Sequence, residues 1–178
     1  MLVKMIFSGF GGQGVIMMGY LFAMAGMYDE KNVTCLPSYG AEVRGGTANC
    51  TVVLSTEEIA SPVASEPDIA VFMNQPSLVR FQNQIQSGGM VFLNSSLIET
   101  KPIRGDIEIF EVPLNELARQ LKNEKALNII MLGALIKKTG LVSLENMMRA
   151  LKETFGSRNP SILKLNESAL MMGYRYFE

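Results

Sequence analysis

The stretch SGFGGQGV, residues 8–15, constrains the fold most, and it directly follows the apolar run LVKMIF. Gly9, Gly11 and Gly14 in this stretch have the G-x-G-x-x-G spacing of a dinucleotide-binding turn. A buried strand that turns sharply into a helix needs glycine where φ is positive or where the backbone closely approaches a ligand. The next segment, VIMMGYLFAMAGMY over residues 15–28, is apolar throughout and predicts a buried helix that begins at the turn.

The order of apolar runs and glycine or proline punctuation predicts an α/β protein. A strand, the glycine turn, a helix and the β-branched run VTCLP at residues 33–37 together indicate a βαβ unit. Further strands are predicted over residues 48–55, 69–74, 90–94 and 107–113, and the last third of the chain is predicted to be helical. With 178 residues the chain is expected to form a single domain, residues 1–178. The predicted architecture is a three-layer, Rossmann-like sheet that is mostly parallel. It leaves room for antiparallel strands, because no helix separates the second and third strands.

Three interpretations of the glycine turn remain open from the residues. A helix N-terminus presents free N–H groups and a partial positive charge, so an anion, a polar ligand or a partner's loop can bind there. An NAD or FAD site would also need an acid at the end of the second strand, about 20 residues after the turn. That strand ends in LPSY, and Asp29 and Glu30 lie before it instead. In the third interpretation the turn only packs the helix against the sheet.

A second glycine-rich segment, SYGAEVRGGT at residues 38–47, follows the second strand. The carboxyl ends of neighbouring parallel strands share one crevice, so the two glycine segments are expected to face each other. Arg44, which two glycines follow, has room to reach an anion or a partner's carboxylate, and Glu42 could pair with it. Tyr39 offers a flat face with a polar end. Alternatively, Glu42 and Arg44 form only a surface ion pair, worth about 0–1 kcal/mol.

Composition excludes several classes of chemistry. The 16 basic and 17 acidic residues give a net charge of −1, so no basic surface is expected for nucleic acid. The chain has no histidine, which excludes Ser-His-Asp catalysis and histidine-bound metal. Cys35 and Cys50 form no C-x-x-C motif, so we expect two buried free thiols and no metal site. Any difficult chemistry would therefore come from a cofactor or a partner subunit.

No signal peptide is evident near the start of the sequence. The apolar run over residues 15–28 is shorter than the about 20 residues of a bilayer-spanning helix. A cytoplasmic protein without membrane contact is therefore expected.

The segments GFGGQGV, PSYGAEVRGGTANCTVVLS and NQPSL together resemble the gamma subunit of the 2-oxoacid:ferredoxin (or flavodoxin) oxidoreductases. This family includes enzymes of the pyruvate, 2-oxoglutarate and 2-oxoisovalerate types, and the resemblance spans nearly the whole chain. The match extends to Gly40 as well, and it implies a cleft for cofactor binding or subunit docking. The predicted cleft residues are Gly9, Gly11, Gly12, Gln13, Gly14, Ser38, Tyr39, Glu42, Arg44, Gly45 and Gly46.

The resemblance also implies a function. Such complexes oxidatively decarboxylate a 2-oxoacid with coenzyme A as co-substrate, giving an acyl-CoA, CO2 and reduced ferredoxin. Thiamine diphosphate and the [4Fe–4S] clusters are expected in the other subunits. The expected partners are the alpha and beta subunits, with a delta subunit as a further candidate, and ferredoxin through the complex.

This chain is then expected to form part of a cleft, to hold no redox centre or catalytic residue, and to be inactive alone. The alternatives are a free-standing nucleotide-binding α/β domain and a non-enzymatic interaction protein. The sequence does not specify which 2-oxoacid is used.

Overall fold

A six-stranded sheet forms the centre of the protein in a computed structural model that describes residues 1–40, 46–156 and 159–178. The strands are β1 (Leu2–Phe10), β2 (Asn32–Tyr39), β3 (Thr47–Ser55), β4 (Ile69–Phe72), β5 (Met90–Asn94) and β6 (Glu108–Val112). The helices are α1 (Val15–Tyr28), α2 (Gln75–Phe81), α3 (Leu114–Gln120), α4 (Leu127–Thr139), α5 (Leu144–Phe155) and α6 (Pro160–Arg175). Within the described residues, no helix is long and apolar enough to cross a membrane.

The strands lie in the order β2-β3-β1-β4-β5-β6. β1, β4, β5 and β6 pair in parallel, whereas β3 runs antiparallel to both of its neighbours, β1 and β2. The prediction of a mostly parallel sheet with antiparallel strands is confirmed. The βαβ prediction is wrong in one respect, because β2 does not lie beside β1. The short connection after β2 returns the chain as an antiparallel hairpin, and this inserts β3 between them.

Successive side chains of β1 point to opposite faces of the sheet, so the hydrophobic core has two parts, one on each face. Met5 and Phe7 point into a large cluster with residues of α1 and α3–α6. Ile6 points to the opposite face, into a smaller cluster that includes Leu78 and Phe81 of α2. The sheet therefore lies between two helical layers of unequal size, which confirms the three-layer prediction.

Local signals fix several helix ends. Ser143 accepts a hydrogen bond from the Asn146 amide at 3.2 Å and so caps α5. Pro76 lies in the first turn of α2, where its missing N–H costs nothing. Gly140 ends α4 with φ of +60°, as a left-handed C-terminal residue does. These positions follow the sequence-based expectations.

Candidate functional site

The glycine turn between β1 and α1 is a tight reverse turn. The Gln13 amide donates a hydrogen bond to the Phe10 carbonyl at 3.1 Å, which closes the turn. Gly12 occupies its third position with φ of +97°, the region that a type II turn requires there. Gly14 follows with φ of +75° at the N-cap of α1. Two of the four glycines are thus required by backbone conformation.

The Gln13 side chain folds back beneath the turn and holds it in place. Its Oε1 accepts hydrogen bonds from the Phe10 amide at 2.7 Å and from Asn74 Nδ2 at 2.8 Å. Its Nε2 donates to the Met73 carbonyl at 3.2 Å. Gln13, predicted as a cleft residue, is therefore occupied in joining the end of β1 to the segment after β4.

Gly9 has a steric role. A Cβ at this buried position would lie 2.6 Å from Gln13 Oε1, 2.9 Å from Val15 Cγ1 and 3.0 Å from Met73 Cβ. The absence of a side chain at Gly9 allows the turn, the first residue of α1 and the end of β4 to pack together. Gly9 therefore contributes to the site indirectly, by allowing the buried side of the turn to pack.

The outward side of the turn consists of Gly11 and Gly12, which are both exposed. A Cβ on Gly12 would meet no atom within 4 Å, and one on Gly11 would meet only the Gly46 carbonyl oxygen, at 3.9 Å. The glycine motif thus divides into a buried part that builds the turn and an open part that another molecule can approach. We use the name exposed glycine face for the exposed Gly11 and Gly12, the half-buried Gly46 that contacts Gly11, and the exposed Tyr39 at the end of β2.

The two glycine segments meet at the carboxyl edge of β1. The Gly11 amide donates to the Gly46 carbonyl at 3.1 Å. Phe10 pairs with Thr47 and Tyr39 pairs with Ala48, so the ends of β1 and β2 lie at the same edge as the start of β3. The expected juxtaposition is thus present, but the inserted antiparallel strand produces it rather than two adjacent parallel strands.

The remaining predicted cleft residues fall into two groups. Ser38 and Tyr39 are exposed at the end of β2, and 71% of Tyr39 is accessible to solvent. Glu42, Arg44 and Gly45 lie outside the described residues, and so does the Glu42–Arg44 pair considered from the sequence.

Sequence reasoning missed a buried amide network beneath the turn. Asn74 is 3% exposed, donates to Gln13, and accepts the Ser77 amide at 3.0 Å as the N-cap of α2. Asn94, fully buried at the end of β5, donates to the Met73 carbonyl at 3.4 Å. These amides connect the carboxyl ends of β1, β4 and β5. The available signal was a polar residue that ends an otherwise apolar strand, as in IAVFMN and MVFLN.

A fixed cation lies at the rim of this edge. Arg80 of α2 donates from Nη1 to Thr47 Oγ1 at 3.0 Å, and its guanidinium lies 5.1 Å from the centre of the Phe81 ring. Arginine presents a planar set of donors suited to carboxylate or phosphate. Arg80 therefore gives positive charge to the strand end that carries the second glycine segment.

A groove of about 340 Å³ opens beside the first turn of α1. Met17, Phe155 and Ile162 give it an apolar lining, and Asn128 and Lys125 add polar groups. Asn128 also donates to the Gly14 carbonyl at 3.4 Å, which links the groove to the glycine turn. Apolar walls with a few polar groups are typical of small-molecule and peptide sites.

The fold and this edge define an α/β domain that differs from a dinucleotide-binding domain. Such a domain places the carboxyl end of the second strand beside the first strand and carries a ribose-binding acid there. Here β3 occupies that position, and β2 ends in Ser38 and Tyr39.

The family model described as "Pyruvate ferredoxin/flavodoxin oxidoreductase" matches residues 4–176, and the chain belongs to this family. The resemblance to subunits of 2-oxoacid oxidoreductases is thereby confirmed.

Individual relatives agree with this assignment. The 2-oxoglutarate synthase subunit KorC of Methanocaldococcus jannaschii is 37% identical over 150 residues, covering 83% of this chain and 80% of that protein. The ketoisovalerate oxidoreductase subunit VorA of Methanothermobacter thermautotrophicus is 36% identical over 96% of this chain, which spans only 35% of VorA. The crystal structure of a keto/oxoacid ferredoxin oxidoreductase gamma subunit from Geobacter sulfurreducens has a TM-score of 0.81 and 29% identity. That match covers 97% of this chain and 96% of the other.

Proposed function

We propose that this chain is the gamma subunit of a multi-subunit 2-oxoacid:ferredoxin oxidoreductase. The complex would oxidatively decarboxylate a 2-oxoacid to an acyl-CoA and reduce ferredoxin in the cytoplasm. In this proposal the exposed glycine face docks on the thiamine-binding alpha and beta subunits or on coenzyme A. The observation that carries this docking role is the contact between Gly11 and Gly46, which brings the last glycine of the second segment against the turn.

The chain's own chemistry supports a docking role rather than a redox role. Its two cysteines cannot supply the four thiolates that usually hold a [4Fe–4S] cluster. Within residues 1–40, 46–156 and 159–178, no three His, Cys, Asp or Glu side chains lie together as metal ligands. Thiamine diphosphate, bound elsewhere in the complex, would supply the stabilisation of the carbanion that decarboxylation produces.

The exposed glycine face has features that suit close docking. Gly11 and Gly12 allow another backbone or a flat ligand to approach the main chain, because no side chain covers them. The N-terminus of α1 lies directly behind them and contributes a partial positive charge. Arg80 adds a full positive charge on the α2 side of this edge, and Tyr39 adds an exposed aromatic ring on the α1 side.

Reconstitution tests the subunit assignment. The purified chain is assayed alone and with the alpha and beta subunits, using 2-oxoacid, coenzyme A, thiamine diphosphate and a viologen dye. We expect turnover only from the complex, and a panel of 2-oxoacids then identifies the substrate. Turnover by the isolated chain would contradict the proposal. Retention of NAD or FAD by the chain, without binding to the other subunits, would favour a free-standing nucleotide-binding domain.

Two variants test the docking surface within that complex. Tyr39→Ala removes an exposed ring from the face, and Arg44→Ala removes the charge predicted for the second segment. Ile103→Ala is the matched control, because Ile103 is 94% exposed and precedes β6 at the opposite edge of the sheet. We expect both test variants to weaken assembly or raise the KM for coenzyme A, with an unchanged melting temperature. Wild-type assembly and kinetics for both variants would contradict a docking role for the second segment and leave it only a structural role.

A further inference from the structure

Cys35 on β2 and Cys50 on β3 place their sulfur atoms 3.3 Å apart. Cys35 pairs in register with Val52, and Cys50 pairs with Pro37, so the two cysteines are diagonal neighbours on the same face of the hairpin. Both side chains lie on the face that α1 covers. Their proximity is therefore a product of the β2–β3 register and not of nearness in sequence.

The two thiols differ in access. The expectation of two buried thiols is wrong for Cys35, which is half-buried because it lies on the edge strand β2. Cys50 is fully buried beneath α1, where a Cβ on Gly19 would overlap its sulfur. An oxidant from solvent can reach Cys35 first. Cys50 then lies within contact distance of the modified sulfur, in the position of a resolving thiol.

We propose that Cys35 and Cys50 form a reversible dithiol–disulfide pair that a peroxide oxidises. In the first step the Cys35 sulfur attacks hydrogen peroxide, the O–O bond breaks, and a sulfenic acid and water form. In the second step the Cys50 sulfur attacks the Cys35 sulfur, the S–O bond breaks, and a second water leaves. The two thiols together lose two protons and two electrons, and these reduce the one peroxide molecule to two waters. This inference is independent of the proposed function.

The local electrostatics support this order of events. The hydrogen bond from Cys50 lowers the pKa of the Cys35 thiol, and burial opposes that effect only partly. The same hydrogen bond, with burial, raises the pKa of the Cys50 thiol. Cys35 thus has more thiolate character, and the thiolate is the form that reacts with oxidants.

The strand arrangement explains why the bond would be reversible. Diagonal neighbours on antiparallel strands usually have Cα atoms about 7–8 Å apart, whereas disulfides span about 4.4–6.8 Å. Cys35 and Cys50 place their sulfur atoms 3.3 Å apart, and a disulfide bond is about 2.05 Å long, so forming the bond draws β2 toward β3. In the part of the chain that the structure describes, β2 is an edge strand held by the single neighbouring strand β3, whereas an inner strand is held by two. A disulfide that holds the two strands in this shifted position is strained, and a strained disulfide is easily reduced.

The disulfide would enclose residues 35–50, and thus the whole second glycine segment, in one covalent loop. It would also fix the hairpin four residues before Tyr39, at the strand that leads to the exposed glycine face. The oxidation state of the pair would therefore act on the same edge of the sheet that carries the candidate site.

Mass spectrometry of the full chain tests the proposal. The chain is purified under reducing, anaerobic conditions, freed of reductant, exposed to hydrogen peroxide, unfolded in denaturant, alkylated and digested, so that the alkylating reagent can reach the buried Cys50 as well. We expect the wild-type monomer to lose two hydrogens, to resist alkylation at both cysteines and to yield a crosslinked Cys35–Cys50 peptide. Dithiothreitol should restore both thiols. Accumulation of sulfinic acid at Cys35 with Cys50 still alkylatable, or disulfides only between chains, would overturn the proposal.

Two variants separate the roles of the thiols. In Cys50→Ala, Cys35 should accumulate as a sulfenic acid that dimedone traps. In Cys35→Ala, the buried Cys50 should remain a thiol under the same treatment. Equal oxidation of Cys50 in the Cys35→Ala variant would contradict the assignment of Cys35 as the first site. The wild-type result stands by itself if either variant fails to fold.

Discussion

Replacement of Gly9 by alanine should destabilise the protein strongly, although it adds only one methyl group. The new Cβ would lie 2.6 Å from Gln13 Oε1, closer than real Cβ contacts allow, so the Gln13 side chain must move. That movement strains or breaks its hydrogen bonds to Phe10, Asn74 and Met73. Each intramolecular hydrogen bond contributes about 1 kcal/mol. Overpacking against Val15 and Met73 adds about 1–3 kcal/mol.

If the movement costs the equivalent of one of these three hydrogen bonds, the expected loss for Gly9→Ala is about 2–4 kcal/mol, a large part of the about 5–15 kcal/mol that stabilises a typical domain. For a chain of this length, each kcal/mol lowers the melting temperature by about 2–4 °C, so the expected shift is roughly 4–16 °C. Thermal unfolding of the isolated chain, followed by circular dichroism, measures this value.

Gly11→Ala is the matched control, since it makes the same chemical change two residues away. A Cβ there meets only the Gly46 carbonyl oxygen, at 3.9 Å, and φ at Gly11 is outside the left-handed region. We expect a melting temperature close to wild type. Equal melting temperatures for Gly9→Ala and wild type would refute the division of the motif into a buried part and an exposed part, and so would a large loss for Gly11→Ala.

Three further predictions concern stability. Asn74→Ala should cost about 2 kcal/mol, because it removes the N-cap of α2 and one partner of Gln13 Oε1, and urea unfolding would measure this loss. Gly173→Ala should lower the melting temperature markedly, since a Cβ there overlaps the Ile130 carbonyl where α6 packs on α4, whereas Gly105→Ala, in open space, should not. Burial raises the pKa of Asp29, but its hydrogen bonds to the start of α5 outweigh this and lower the pKa overall. Asp29 therefore stabilises the fold above its unfolded pKa of about 3.9, and that contribution is lost as the pH falls through the folded value. The free energy of unfolding of Asp29→Asn should accordingly fall less than that of the wild type as the pH is lowered. Acid unfolding curves of both proteins would measure this difference.

Much of the fold could be predicted because the chain marks its elements clearly. Apolar runs of strand length end at glycine, proline or asparagine, and the helices carry caps such as Ser143 and Gly140. The position of β3 could not be predicted in the same way. Local patterns specify that a strand forms, but its neighbours depend on which edge of the sheet the returning hairpin joins.

The candidate site was predictable only in part for a related reason. Glycine spacing predicted the turn, and the turn is present. The role of Gln13 depends on Asn74, which is 61 residues away in sequence and becomes a neighbour only because β1 pairs with β4. The contact between Cys35 and Cys50 was easier to predict than that of Gln13 with Asn74, because the two cysteines lie on consecutive strands that the sequence predicted.

The most direct test of the docking claim is the affinity of the partner subunits for the Gly11→Leu variant. Gly11 is exposed, and a Cβ there meets only the Gly46 carbonyl oxygen, at 3.9 Å, so we expect the isolated variant to melt like wild type. We expect its affinity for the alpha and beta subunits, measured by titration calorimetry, to fall by roughly tenfold or more, which corresponds to about 1.4 kcal/mol. If docking is to coenzyme A instead, the KM for coenzyme A in the complex should rise by a similar factor. Wild-type affinity together with a wild-type KM would contradict the claim that this face is functional.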